Sequence, residues 1–295
     1  MEELPQYWVS QEAQAQAPDG RGVLLSAWGW SRTSMTQAAD VAAERLRATV
    51  DRFSSGTKAP REEYYPRMAL REPVLHQVHD GDVLVAEVSR NRYGSEVLNT
   101  DAVLIADVDF PERAPEPRVK ERRSLLGKLF GRSAPERAQP DTSEDEDAAL
   151  QRIAQFAGEN HHLGTHVYRT FAGLRVIVSG SYALPTSPEA VDIMAALDTD
   201  PVYVTLCATH ATYRARLTPK PWRVGRNPLQ VTWPYRNEHA QKWTQRWVAD
   251  YDAKSQGYAT CSHIASFGAE PSPIERRVMD LHDQRTLAHD DLPLA

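Results

Sequence analysis

The stretch from Ala102 to Pro111, AVLIADVDFP, constrains the fold of this chain more than any other. Five apolar residues lead directly into Asp107 and Asp109, and an uninterrupted apolar run of this length is typical of a strand buried on both faces. Because side chains alternate across a strand, the two aspartates point to the same side. The sequence therefore predicts a pair of carboxylates at the end of a central strand.

Two ionised carboxylates held side by side repel each other, unless a divalent cation, a shared proton or open water relieves the repulsion. Oxygen ligands of this kind suit Mg²⁺ or Mn²⁺. Asp107 and Asp109 are therefore candidate metal ligands. In the alternative interpretation, one aspartate caps the strand end or the next turn and the other is solvated.

Composition places the chain among ordinary globular proteins. Its 295 residues are 41% apolar and 25% charged, which is enough for one large or two modest cores. The apolar runs are of strand length and the first residues are acidic and polar, so we expect no membrane partner and no secretory signal. Only two cysteines are present, which favours a reducing, cytoplasmic setting. The formal net charge of -6 argues against indiscriminate binding to polyanions but permits a local basic face.

The order of patterned segments predicts an α+β fold. An amphipathic helix follows the N-cap residue Ser34, and it lies between a strand at 22–30 and a strand at 82–88. With the aspartate strand this gives a β-α-β-β opening, which suits a sheet with helices packed on it. Further elements are predicted as helices at 145–157, from Ser187, at 237–254 and from Ser272, strands at 165–170, 174–179 and 258–267, and an ambiguous run at 202–207.

Composition shifts divide the chain into five segments. They are a mobile or loosely docked arm (1–20), the first part of the αβ core (21–111), a flexible charged insertion (112–147), the second part of the core (148–236) and a C-terminal helix-strand-helix extension (237–295). The insertion is basic and then acidic, which is typical of a solvated linker. Its residues 125–130 alternatively form a short amphipathic helix that touches a membrane or a nucleic acid.

A hairpin and a second aspartate pair follow the insertion. In HVYRTFAGLRVIVSG, Gly173 lets the backbone approach a ligand closely, and Arg175 offers an anion a fork of donors. Asp198 and Asp200 then follow a predicted helix, and either supplies a third carboxylate.

A basic cluster lies after these aspartates. Alternation along a strand places Arg214 and Arg216 on one face, which suits a phosphate tail or a nucleic-acid backbone. The alternative is a solvated basic edge strand that blocks aggregation. The cluster comprises Arg214, Arg216, Lys220, Arg223 and Arg226, with Tyr213 and Trp222 among them.

Taken in order, these motifs resemble the archaeo-eukaryotic primase superfamily, the primase-polymerases, over roughly residues 82–226. The resemblance implies an RRM-like αβ core and metal-dependent nucleotidyl transfer. Asp107 and Asp109 match the metal-binding carboxylates of the family's first motif, and Asp200 or Asp198 matches the carboxylate of the third. The resemblance further assigns the phosphates of the incoming nucleotide, or the template, to Thr170, Gly173, Arg175, Arg214, Arg216 and Lys220.

One departure bears on activity, because Arg175 stands where the family carries a histidine. Arginine holds phosphate but does not shuttle a proton near neutral pH, so binding survives this change better than polymerisation. The leading hypothesis is metal-dependent binding of a nucleotide or a nucleic-acid end, with nucleotidyl transfer if the site is active. The alternative is a non-catalytic nucleic-acid-binding or regulatory protein on the same fold.

Two weaker interpretations rank below these. A metal-dependent phosphoesterase also needs carboxylates, but its histidine-rich ligand set is absent in recognisable form. A zinc site built from Cys207, His210, Cys261 and His263 is disfavoured by their spacing, which favours buried thiols and ordinary histidines. The two ends of the chain, at 28–31 and 285–287, also resemble bacterial proteins without an assigned function.

Overall fold

The computed structural model describes residues 1–56, 68–110 and 143–295. The charged insertion up to residue 142, with the alternative helix at 125–130, lies outside the described residues. The strands are β1 (Tyr7–Gln16), β2 (Gly22–Ser31), β3 (Val74–Asp80), β4 (Val83–Arg90), β5 (Glu96–Thr100), β6 (Leu104–Asp109), β7 (Gly164–Thr170), β8 (Gly173–Ser179), β9 (Tyr213–Arg216) and β10 (Cys261–Gly268). The helices are α1 (Met35–Ser54), α2 (Ser143–Glu159), α3 (Pro188–Ala196), α4 (Pro201–His210), α5 (Glu238–Ser255) and α6 (Pro273–Thr286).

The N-terminal residues form a paired strand, which corrects the prediction of a loose arm. β1 runs antiparallel to β2 without a break in register, from Tyr7 opposite Ser31 to Gln16 opposite Gly22. The helix α1 packs closely on this ribbon, because a Cβ added to Gly29 would lie 2.2 Å from the Ala38 carbonyl oxygen. Low apolar content suggested a loose arm at 1–20. A two-stranded ribbon, however, needs few large apolar residues when a helix covers one of its faces.

Two four-stranded sheets make up most of the molecule. One has the order β3-β4-β5-β9 and the other the order β10-β7-β8-β6, and neighbouring strands are antiparallel in both. The elements β6, α2, β7 and β8 form a split β-α-β unit, since β8 lies between β6 and β7. These elements establish an α+β fold. Its RRM-like character stays a prediction.

β10 belongs to the second sheet, so residues 237–295 are not an extension added to a finished core. β10 pairs with β7 along its length, with Cys261 opposite Thr170 and Gly268 opposite Gly164. Hydrogen bonds to β7 therefore make the C-terminal segment part of the sheet that carries the aspartates.

The aspartate strand β6 is buried, as predicted, but it is not a central strand. Leu104, Ile105 and Ala106 are fully buried in the main core. Among the described strands, β6 is hydrogen-bonded to β8 alone. An apolar run reports the burial of side chains and not the number of backbone neighbours, which explains the difference.

Local signals placed most helices correctly. The predicted N-caps Ser34, Ser187, Asn237 and Ser272 each accept a hydrogen bond from the first turn of their helix. The ambiguous run at 202–207 belongs to α4, and β3 was not anticipated. α2 begins at Ser143, within the segment assigned to the insertion. Across the described ranges, no helix combines the length and apolar character needed to cross a bilayer.

Candidate carboxylate and guanidinium site

Three predicted carboxylates come together where β6 ends. Asp107 and Asp109 lie on the same side of the strand, as alternation requires. The backbone N–H of Asp200 donates to the carbonyl oxygen of Asp107 at 2.9 Å, which fixes the start of α4 against β6. The Asp200 carboxylate caps that helix, accepting hydrogen bonds from the N–H groups of Val202 at 3.1 Å and Tyr203 at 3.3 Å.

Asp198, the other candidate for the third carboxylate, belongs to a different surface. Its carboxylate is exposed and lies 2.9 Å from the Arg152 guanidinium. Asp200 is therefore the aspartate of this pair that joins the site.

The electrostatics of the site centre on Asp109. Burial raises the pKa of its carboxyl, and the negative charges of Asp107 and Asp200 raise it further. Lys220 and Arg216 act in the opposite direction. Three parts of the chain, at 107–109, 200 and 216–220, thus contribute charges to one site, which alternation and spacing could not establish.

Arg175 lies opposite Asp107 in the β6–β8 register, and it is deeply buried. Its side chain is only 3% exposed. Nη1 donates to the carbonyl oxygen of Arg216 at 3.0 Å and lies 3.1 Å from Nε2 of His282. Its Nε has no hydrogen-bond partner among the described residues. Arg175 therefore sits beside the carboxylates with one donor unused.

Arg216 ends β9 on the same side of the site. Burial lowers the pKa of its guanidinium, as does the nearby charge of Arg175, whereas Asp107 and Asp109 raise it. Its buried Nε also lacks a partner within the described part of the chain. The aspartates thus compensate only part of the cost of burying two guanidinium groups.

The hairpin residues Thr170 and Gly173 have structural contacts that sequence reasoning did not assign. Thr170 Oγ1 donates to the Gly173 carbonyl oxygen at 3.1 Å, within the turn between β7 and β8. A Cβ on Gly173 would lie 2.0 Å from the Val108 carbonyl oxygen. Gly173 therefore allows β6 to approach β8, whereas the sequence suggested the approach of a ligand.

Arg214 forms an ion pair with a glutamate of the same chain. Its Nη2 lies 2.9 and 2.8 Å from the two carboxylate oxygens of Glu72. Glu72 also accepts a hydrogen bond from Ser89 at 2.5 Å. The assignment of Arg214 to phosphate therefore does not fit its surroundings, although β9 is an edge strand of its sheet as the alternative interpretation expected.

Aromatic rings and basic groups lie next to the carboxylates. Lys220 Nζ lies 5.8 Å from the centre of the Trp222 ring, and burial lowers the pKa of this lysine. Trp222 meets Tyr93 edge to face at 5.7 Å, and each residue is 39% exposed. The Arg223 guanidinium lies 4.0 Å from the centre of the Phe171 ring. These contacts form an exposed aromatic and cationic surface.

The donor set fits a hard divalent cation in its chemistry, since three carboxylates are present. Asp107 and Asp109 would hold it, with Asp200 nearest among the other carboxylates. Within the three described ranges, no group of three or more histidine, cysteine, aspartate or glutamate side chains is arranged tightly enough to hold a metal ion. Cys207 and Cys261, the cysteines of the disfavoured zinc site, are buried free thiols, and they belong to no such group among the described residues.

A separate cavity of about 1010 Å³ runs along α4, whose cap is Asp200. Pro201 and Val202 line its end nearest the site. Its apolar wall includes Leu70, Val202, Leu206, Leu229, Val231 and Trp233.

Sequence reasoning missed His282 and Asp283 of α6, which reach the site through Arg175. Their spacing matches an ordinary amphipathic helix, so no local signal marks them. Searches of family models, curated proteins and solved structures find no match to this chain. The geometry of the site is therefore the basis for its functional interpretation.

Proposed function

We propose that this protein binds a nucleoside triphosphate or a nucleic-acid end through Mg²⁺ or Mn²⁺ held by Asp107 and Asp109. The observation that carries the proposal is the meeting of these carboxylates with Asp200, Arg175 and Arg216 at the end of β6. These residues come from distant parts of the chain. Their convergence agrees with the motif order that resembles the primase-polymerases.

Each group has a distinct role in this proposal. Phosphate oxygens accept hydrogen bonds from basic groups, and Arg216 and Lys220 supply the positive charge next to Asp109. The buried Arg175 acts behind them, through its hydrogen bond to the Arg216 main chain. Asp107 and Asp109 would hold the divalent cation, which would offset the repulsion between the carboxylates and the phosphates.

Nucleotidyl transfer is the reaction we propose if the bound state is catalytic. A hydroxyl oxygen attacks the α-phosphorus and forms a new P–O bond, while the bond between the α-phosphorus and the α,β-bridging oxygen breaks. The hydroxyl proton passes to solvent water, and pyrophosphate leaves. A divalent cation favours this step by activating the hydroxyl and neutralising the leaving group. Arg216 and Lys220 would stabilise the charge that develops on phosphate, and Arg175 would not act as a proton carrier.

The test is isothermal titration of Mn²⁺, with and without a nucleoside triphosphate, on the wild type and on Asp107→Asn. We expect Mn²⁺ binding that strengthens with the nucleotide and disappears in the variant. Asp198→Asn is the matched control, because its carboxylate pairs with Arg152 away from the site. Absence of binding in the wild type, or unchanged binding in Asp107→Asn, would overturn the proposal.

The second candidate is nucleic-acid binding without catalysis. The exposed rings of Tyr93 and Trp222, flanked by Lys220 and Arg223, favour it, because bases stack on aromatic rings and phosphates attract basic groups. Such binding weakens steeply with salt and needs no divalent cation. Trp222→Ala should weaken binding to a single-stranded oligonucleotide, with Tyr182→Ala, an exposed tyrosine elsewhere, as the control. Weak salt dependence, or equal effects of the two variants, would contradict this candidate.

We also retain a cytoplasmic location as part of the proposal. The two cysteines are buried and unpaired, in keeping with a reducing compartment.

A further inference from the structure

A buried histidine of α6 packs on the face of the sheet that carries Asp107 and Arg175. His282 is fully buried, and its Nε2 lies 3.1 Å from Nη1 of Arg175. Its Nδ1 lies 2.8 Å from Oδ1 of Asp283. The same imidazole packs against the ring of Tyr168, with 4.9 Å between ring centres. Three residues thus form a continuous hydrogen-bonded chain from Asp283 to Arg175.

The chemistry of the two neighbours fixes the proton on His282. An ionised carboxylate only accepts hydrogen bonds, so the proton lies on Nδ1, facing Asp283. A guanidinium only donates, so the 3.1 Å contact with Arg175 favours Nε2 as an acceptor over Nε2 as a donor to Cys261 Sγ, which is 3.9 Å away. The neutral imidazole with its proton on Nδ1 satisfies both contacts. A proton on Nε2 would place the His282 N–H donor against the N–H donor of Arg175.

The chain of contacts ends at the two guanidinium groups of the site. Arg175 lies opposite Asp107, and its Nη1 also donates to the main-chain carbonyl of Arg216 at 3.0 Å. A single side chain therefore joins α6 and β8 to the end of β9. Its position therefore fixes the end of β9, which carries the Arg216 guanidinium.

We propose that His282 and Asp283 are positioning residues that hold Arg175, and through it the Arg216 main chain, beside the carboxylates. This inference rests on the proposed function, because it concerns how the same site receives phosphate. Neither residue touches the substrate. Their effect on binding passes through the orientation of Arg175.

A nucleophilic role for Cys261 is the competing interpretation, since its Sγ lies 3.9 Å from Nε2 of His282 and completes a Cys-His-Asp series. Two observations disfavour it. Cys261 and His282 are both fully buried, so a substrate does not reach the sulfur. In addition, Nε2 already faces the Arg175 donor, so it is not available as a base.

The test compares His282→Leu with His282→Gln, because glutamine keeps an acceptor for Arg175 and leucine does not. The measurement is the affinity for Mn²⁺ with a nucleoside triphosphate by isothermal titration, with circular dichroism as the check on folding. We expect His282→Leu to weaken triphosphate binding by about tenfold, the effect of losing one hydrogen bond to a charged group. His282→Gln should recover most of the affinity. His289→Gln is the control, because His289 lies 3.0 Å from Oδ2 of Asp283 and packs against the His263 ring, on the side of Asp283 away from His282 Nδ1, which faces Oδ1.

A second measurement does not depend on binding. The ¹⁵N chemical shifts of His282 report its tautomer, and we expect the proton on Nδ1 with Nε2 as acceptor. Arg175→Met should shift the Nε2 resonance and leave that of His289 unchanged. The opposite tautomer would overturn the positioning role whatever the variants bind.

The outcomes separate the two proposals. Folded His282→Leu with wild-type affinity, or folded His282→Gln as weak as His282→Leu, would overturn the positioning role alone. If His282→Leu does not fold, the decision rests on His282→Gln and on the tautomer. A wild type that binds neither Mn²⁺ nor triphosphate would overturn the proposed function and the positioning role with it.

Discussion

At the residue scale, the ionised carboxylate of Asp109 lowers the stability of the folded protein. Its carboxyl is partly buried beside Asp107 and Asp200, so ionisation is disfavoured both by burial and by like charge. Nothing in the strand requires an acid there, since its register partner is Gly173. Residues that cost stability in this way are typical of functional sites.

The first prediction is that Asp109→Asn keeps or increases stability while it abolishes metal binding. In a chelator-containing buffer, we expect the free energy of unfolding at pH 7 to stay the same or to rise slightly, because a charge repulsion that solvent partly screens is removed. Urea unfolding measures this change. A loss of more than about 1 kcal/mol would mean that the carboxylate is structural.

The same substitution has a defined pH dependence. Because the pKa of Asp109 is raised on folding, the native state binds its proton at a higher pH than the unfolded chain. Ionisation of Asp109 therefore lowers the free energy of unfolding as the pH rises through the folded pKa. Below the unfolded pKa the carboxyl is protonated in both states, and this loss of stability is absent. The stability gain of Asp109→Asn should accordingly be larger at pH 7 than near pH 4.

At the scale of elements, α5 supports the segment that carries Lys220. One face of this helix is aromatic, since Trp247 and Tyr251 are buried and their rings stack at 5.0 Å. The hydroxyl of Tyr251 lies 2.8 Å from Thr218 Oγ1 and donates to the Pro219 carbonyl at 2.5 Å. The helix therefore anchors the residues immediately before Lys220.

The second prediction is that Tyr251→Phe loosens this anchor. We expect a loss of about 1–2 kcal/mol in the free energy of unfolding, because the Pro219 carbonyl loses a buried donor. Under the proposed function, the affinity for triphosphate should also fall. Thermal and urea unfolding measure the first effect, and isothermal titration the second. Tyr182→Phe, at a residue that is 79% exposed, is the control and should match the wild type in both.

At the scale of the whole molecule, residues 1–8 attach the N-terminal ribbon to the sheet that contains β3 and β4. Trp8 is buried between Trp30, at a ring distance of 5.6 Å, and Trp233, at 6.3 Å. The backbone N–H of Leu4 donates to the buried Glu87 carboxylate at 2.8 Å. Trp8 therefore contributes much of the apolar contact between the ribbon and the remainder of the chain.

The third prediction concerns this attachment. Trp8→Ala should cost about 3–5 kcal/mol, the usual effect of truncating a buried tryptophan. Hydrogen exchange should then accelerate first in β1 and β2, while the amides of β6 and β8 remain protected. Tyr7→Ala, at the exposed neighbouring position, should leave the exchange pattern unchanged. Equal acceleration in both regions would show that the ribbon and the sheets unfold together.

Local interactions account for what the sequence determined. Capping depends on a side chain and the backbone two or three residues further on, so Ser34, Ser187 and Ser272 identified helix starts without tertiary information. Alternation fixed the common side of Asp107 and Asp109 for the same reason. The hairpin of β7 and β8 was predictable because its pairing spans a short turn.

Tertiary packing decided the remainder of the site. Asp198 and Asp200 are equivalent in sequence, and only the docking of α4 on β6 selects Asp200. The sequence pattern also assigns Arg214 and Arg216 the same role. In the structure, however, Arg214 pairs with Glu72, which is 142 residues away. No local pattern encodes such a pairing, because it exists only after both sheets have packed. The sequence by itself therefore determined which chemical groups the site contains, and the folded structure decided which of them meet.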